Sequence, residues 1–249
     1  MEDRLGPHNV TKLPGLDGLP GQTGVMAALV HLVRHTEIEN SGHVVAGSLS
    51  GFELSPHGLE QARRVGRYLG PRAVVSIWSS PLERALRTAE EIAARSGVPV
   101  RVDSGLTEWA VMERWQGRSW ATIREDSPGE VEAYLGHPQD LGFGKETLDT
   151  LADRVAEVAR RLDAEHPHGD VVIVSHQDPI QAARLRLTGS DLAKLHEDKP
   201  GHGSVVTLRP GVAWAEETIW SPGDTPGLGS RSDLRVVGAG SAPAPQTTA

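Results

Sequence analysis

Short apolar runs alternate with stretches of helical period through the middle of the chain. The runs at 28–33, 73–78, 98–102 and 171–174 are brief, rich in β-branched residues and mostly apolar, as in buried strands. Between them, apolar residues recur every three or four positions. Ser55-Pro56 supplies an N-cap and a proline at the first helical position, and Leu59, Ala62, Val65 and Leu69 follow on one side. A second helix follows Ser79-Ser80-Pro81, with Leu82, Ala85, Leu86, Ala89, Ile92 and Ala93 as its stripe. The longest helix is predicted over 147–165 and a fourth over 179–187, while 204–208 and 213–220 flank Arg209-Pro210-Gly211 as a closing hairpin. The alternation predicts an α/β fold. Strands apolar on both faces need helices on both, so the expected architecture is a three-layer αβα sandwich around a mainly parallel central sheet.

Periodicity fails at both ends. Residues 1–25 repeat Gly, Pro and Asp and read as a disordered leader, 26–220 as one folded domain, and 221–249 as a disordered tail with a short strand at 234–237. Gly and Pro, at 28 and 17 of 249 residues, fit a globular core with flexible flanks. A net charge of -8 offers no general attraction to nucleic acid or an anionic membrane, so any anion must be captured locally. The absence of cysteine removes disulfides, thiolate metal sites and thiol nucleophiles. The apolar stretch at 25–33 is broken by His31 and falls short of the roughly 20 residues that span a bilayer. A cytoplasmic enzyme is therefore expected.

Three segments concentrate polar chemistry at strand ends. Leu32-Val33-Arg34-His35-Thr36-Glu37 is an apolar strand closing on Arg-His, and Val172-Ile173-Val174-Ser175-His176-Gln177 is another closing on histidine. In a parallel sheet such residues emerge beyond the carboxyl ends of the strands, where ligands gather. The third segment, Ser79 to Ala89, places Arg84 in the first turn of a helix, where the backbone already favours an anion; a solvated surface charge is the competing reading of Arg84.

In this order the segments resemble the histidine phosphatase superfamily, which includes the cofactor-dependent phosphoglycerate mutases. The family's Arg-His-Gly-Glu entry is matched by Arg34-His35-Thr36-Glu37, its Ser-Ser-Pro-x-x-Arg-x-x-x-Thr-Ala segment by Ser79 to Ala89, and its Ser-His element by Ser175-His176. Coverage extends over about 28–210. The resemblance implies that His35 is the nucleophile and that Arg34, Arg84 and His176 grip the phosphoryl oxygens, as phosphoryl transfer requires. It implies Leu106-Thr107-Glu108, ahead of Trp115-Gln116-Gly117, as the site of the acid and base, so Glu108 is the first choice. The spacing to Gly117 is unusual and leaves Glu113 and Glu146 as rivals. Asn40 is a candidate phosphate ligand or an exposed loop residue. Thr36 stands where the family usually has Gly, which implies a backbone that tolerates Cβ or an altered phosphate loop.

His31 is expected to pack within its strand, and His43, His57, His137, His166, His168, His196 and His202 are read as solvated. No spacing supports a metal site, and the resemblance implies chemistry without metal or cofactor. The expected function is hydrolysis of a small phosphorylated metabolite through a phosphohistidine. A mutase-like phosphotransferase is the second reading and a non-catalytic phospholigand-binding module the third. Substrate identity, assigned to loops around 41–54 and 109–145, and oligomeric state stay open.

Overall fold

The computed structural model describes residues 28–223; the leader at 1–25 and the tail from 224 onward, including the strand expected at 234–237, lie outside the described residues. The chain runs β1 (Val30–Arg34), α1 (Pro56–Leu69), β2 (Val74–Ser79), α2 (Glu83–Ser96), β3 (Val100–Val102), α3 (Val111–Trp115), α4 (Trp120–Asp126), α5 (Glu130–Gly136), α6 (Leu148–Glu165), β4 (Asp170–Ser175), α7 (Gln177–Thr188), β5 (Val205–Arg209) and β6 (Ala215–Trp220). The six strands form one sheet in the order β3-β2-β4-β1-β5-β6. β3, β2, β4 and β1 are parallel, and the closing hairpin adds β5 and β6 antiparallel. The α/β architecture expected from the alternation is the one observed.

Strand alternation divides the core into two layers. Val33, Ile77, Val172 and Val174 face α1 and α2, meeting Val65, Leu69, Ala85, Ala89 and Ile92. Their neighbours Val30, Leu32, Val171 and Ile173 face the opposite layer, where Leu151, Val155, Leu162 and Ile180 of α6 and α7 cover them. A strand buried on both faces has no polar alternation to show, which is why these segments read as predominantly apolar runs. His31 is fully buried within β1, its ring between Thr207 Oγ1 and an Asp170 carboxylate oxygen, each at 3.0 Å.

The segment 109–145, read as loops, contains the short helices α3, α4 and α5. Five to seven residues are too few to display a helical period, and helices of that length depend on tertiary packing. Here the packing comes from aromatic rings: Trp115 meets Tyr134 edge-on at 5.5 Å and Trp120 at 5.7 Å. Among the described residues, no helix is long and apolar enough to cross a membrane.

The turn after β1 is locked against α1. Ser55 caps that helix through Gly58 N–H, and its hydroxyl donates to a Glu37 carboxylate oxygen at 2.6 Å. Alanine inside a helix ordinarily gains about 1 kcal/mol over glycine. At Gly58 a Cβ would lie 2.0 Å from the Glu37 carbonyl oxygen, an overlap that outweighs the helical gain. Gly58→Ala is predicted to lower stability by about 2–4 kcal/mol. The urea midpoint at unchanged m-value measures it, and a more stable variant would contradict the packing described.

Candidate active site

Parallel pairing in register sets the site. Arg34 and Ser175 are the last partners of β1 and β4, so the next residues, His35 and His176, leave the sheet side by side. His35 N–H donates to Ser175 O at 2.9 Å, and the two imidazole centroids lie 5.3 Å apart. Beyond this point the chain departs toward opposite faces, from β1 to α1 and from β4 to α7. That divergence opens a crevice at the carboxyl edge of the sheet.

The ring of His35 has a defined tautomer. Nδ1 lies 2.8 Å from Thr36 O, an acceptor only, so Nδ1 carries the proton. Nε2 accepts from Arg84 Nε at 3.3 Å and keeps its lone pair. Burial, reinforced by the positive charge of Arg84, holds His35 well below the usual histidine range, so the ring is neutral at pH 7. A neutral imidazole that lines a cavity and keeps Nε2 unprotonated is a candidate nucleophile.

Positive charge surrounds that nitrogen. Arg84, in the first turn of α2, also donates from Nη2 to Gly47 O at 2.8 Å. Arg34 donates to Pro200 O and to His202 Nε2, both at 3.0 Å, and its buried Nε has no protein partner. Burial lowers Arg34 to about 10, which leaves it charged at neutral pH. His176 bonds Ser80 Oγ through Nε2 at 2.8 Å, and burial followed by the arginine charges pushes it well below the ordinary value.

Thr36 explains how a Cβ is tolerated after His35. It is absent from the residues of positive φ, so the position requires no glycine. Its N–H donates to Thr88 Oγ1 at 3.1 Å, and Thr88 in turn donates to Arg84 O at 2.8 Å. The His35 turn is thereby tied to the helix that carries Arg84.

Glu108 lines the same cavity, of about 370 Å³, as His35, Arg34 and Arg84. Its carboxylate accepts Trp109 N–H at 2.8 Å. Burial, assisted by the nearby Asp178 charge and opposed by Arg84, pushes it up to about 7. The rivals lie elsewhere. Glu113 pairs with Lys145 at 3.5 Å, and Glu146 holds Arg154 at 2.6 Å; both line an outer cleft that Glu108 borders from its other side. Asn40 reaches the cavity wall, but its amide is engaged by the backbone of Val44, donating at 2.8 Å and accepting at 3.1 Å.

Several participants were not evident from the sequence. His202, read as solvated, is half-buried, with its ring 5.4 Å from His35. His196 is half-buried too, bonded to Tyr134 O at 2.6 Å. Asp178 is buried in the cavity wall, accepting from Tyr134 Oη at 2.8 Å and from Lys199 Nζ. Burial raises this carboxyl, yet Lys199 and His196 outweigh it and the net shift is downward. A loop histidine and a helix aspartate carry no local signal of such roles. Among the described residues, no group of three or more His, Asp or Glu is placed to hold a metal ion.

Residues 30–213 match the sequence profile of the Histidine phosphatase superfamily (branch 1). An uncharacterized protein of Mycobacterium tuberculosis is 37% identical over 172 residues, spanning 66% of this chain and 80% of its own length. Phosphoserine phosphatase 1 of Hydrogenobacter thermophilus is 30% identical over 164 residues, 66% of this chain and 77% of that protein. Among solved structures, a mycobacterial glucosyl-3-phosphoglycerate phosphatase complexed with VO3 superposes with a TM-score of 0.70 at 29% identity, covering 78% of this chain and 99% of that one.

The titrations have a thermodynamic consequence. His35, His176 and His202 all titrate well below 6.5 in the fold, so the unfolded chain binds more protons as pH drops through that value. Glu108, raised to about 7, opposes this with a single group that gains its proton earlier in the fold. Three depressed groups against one raised group predict that stability falls between pH 7 and pH 5. Melting temperatures across that interval measure it, and a rise on acidification would refute the neutral imidazoles.

Proposed function

The chain belongs to the histidine phosphatase superfamily, branch 1, and from that premise we propose that it is a phosphomonoester hydrolase working through a phosphohistidine on a small phosphorylated metabolite. The observation that carries this reading is the pairing of a neutral His35, its Nε2 lone pair directed to Arg84, with a carboxyl group near pH 7 in the same cavity. Nε2 attacks phosphorus, and the bond to the leaving oxygen breaks as Glu108 gives it a proton. Arg34, Arg84 and His176 turn their donors to the equatorial oxygens, and the phosphate dianion raises His176 so that it adds a charged donor. Glu108, now a carboxylate, takes a proton from water as that water attacks the phosphohistidine. Inorganic phosphate leaves, and His35 is restored neutral.

The relatives act, by their names, on phosphoserine and on glucosyl-3-phosphoglycerate, both small organic phosphates. A cavity of about 370 Å³ accommodates a ligand of that class, within the roughly 300–1,000 Å³ of small-molecule sites. Asn40 shapes its wall by folding the 40–44 turn.

Purified protein should hydrolyse p-nitrophenyl phosphate in excess EDTA, and His35→Ala should lower turnover by about 10³-fold or more. A requirement for added Mg²⁺ or Zn²⁺ would overturn the scheme. Glu108→Gln should cost about 10²-fold or more in kcat/KM for an alkyl phosphate, and under about 10-fold for p-nitrophenyl phosphate, whose leaving group needs no proton. Since the acid must be protonated, kcat/KM for the alkyl ester should fall as pH rises above about 7. Equal losses on both substrates would remove Glu108 from the role.

A further inference from the structure

We propose that Arg154, paired with Glu146, is the positioning residue for the Glu108 carboxyl, an inference that rests on reading Glu108 as the acid and base. Arg154 lies in α6, outside the wall of the cavity that holds His35 and Arg84, and lines the outer cleft instead. Its Nη1 donates to Gly105 O and Thr107 O, both at 2.9 Å, and its Nη2 to Glu108 O at 3.1 Å. One guanidinium therefore gathers three carbonyls of the segment that presents the acid. The remaining donors meet Glu146, Nε to Oε1 at 2.6 Å and Nη2 to Oε2 at 3.1 Å.

Glu146 fixes the same segment from its far side. Its Oε2 accepts Ala110 N–H at 3.1 Å, and its backbone carbonyl accepts the Trp109 indole N–H at 3.0 Å. Backbone groups of residues 105, 107, 108 and 110 thus converge on a single ion pair. Glu108 itself is left with one local bond, from Trp109 N–H. Its own contacts hold it weakly, so the direction of its side chain is set by the backbone on which it stands. A planar fork with five donors can satisfy this arrangement and an ammonium cannot. A displacement of about 1 Å at a catalytic group costs on the order of 10²-fold, so the clamp bears on rate without touching substrate.

The competing reading is a loop clamp that serves stability alone. A double-mutant cycle with two substrates separates the two readings. Arg154→Gln is expected to lower kcat/KM for an alkyl phosphate by about 10- to 100-fold and for p-nitrophenyl phosphate by under about 3-fold. In a Glu108→Gln background the same change should add less than about 3-fold, because the group it positions is gone. Arg154→Lys, which keeps the charge and loses the fork, should not restore activity. Should Arg154→Gln fail to fold, Glu146→Gln supplies the same cycle with the guanidinium in place. Equal losses on both substrates, full additivity with Glu108→Gln, or rescue by lysine would each overturn the inference. Absence of leaving-group contrast in Glu108→Gln alone would instead sink the assignment of the acid, so the two failures are distinct.

Discussion

The arrangement of this protein depends on two guanidinium groups buried without a carboxylate in contact. Arg34 and Arg84 are 7% and 3% exposed, and among the described residues neither forms a salt bridge. Their partners are carbonyl oxygens and imidazole nitrogens, which supply dipoles but no charge. Burying a cation in this way costs several kcal/mol that only a nearby negative charge repays. Glu108 and Asp178 supply part of it at longer range, since both raise the affinity of Arg34 for its proton. The surplus positive potential points at the cavity, where an oxyanion would complete it. In a chain of net charge -8, this local surplus is where an anionic ligand would find its complement.

The sheet makes that burial possible. β1 and β4 lie side by side in the middle of six strands and end at the same level. Two histidines and Arg34 are thus delivered to one point by backbone pairing, and α2 adds Arg84 from above β2. The two imidazoles stand 5.3 Å apart, edge to face, above close-packed apolar layers.

The parts of this design legible in the sequence are those encoded locally. Strands such as 171–174 and the helices with Leu151-Val155-Leu162 and Ala85-Ala89-Ile92 on one side declare themselves through period. Arg34, His35, Arg84 and His176 are marked by their places at strand ends and helix starts. What escaped depends on contacts distant in sequence. His202 is half-buried because Arg34 donates to it across 168 positions, and Asp178 belongs to the site through Tyr134 and Lys199, 44 positions before it and 21 after. Helices α3 to α5 exist because Trp115, Trp120 and Tyr134 pack together, which no window of seven residues reveals. Glu146 was a rival to Glu108 along the chain; its partner Arg154, eight residues on, distinguishes them in space.

That contrast extends to Glu108 and Asp178, two of the acidic residues that line the cavity. Asp178 receives the Lys199 ammonium and the Tyr134 hydroxyl, and its affinity for a proton is lowered despite complete burial. Glu108 receives one backbone N–H, and its affinity is raised although two arginines stand within electrostatic reach. The arginines alone would depress it, so desolvation and the fixed charge of Asp178 must exceed their pull. Asp178 can sustain this role because Lys199 keeps it ionised at the pH where Glu108 exchanges its proton. One carboxylate therefore serves as a permanent charge that tunes the other, and two acids of similar intrinsic strength are driven apart by their surroundings into a fixed anion and a carboxyl that titrates near neutrality.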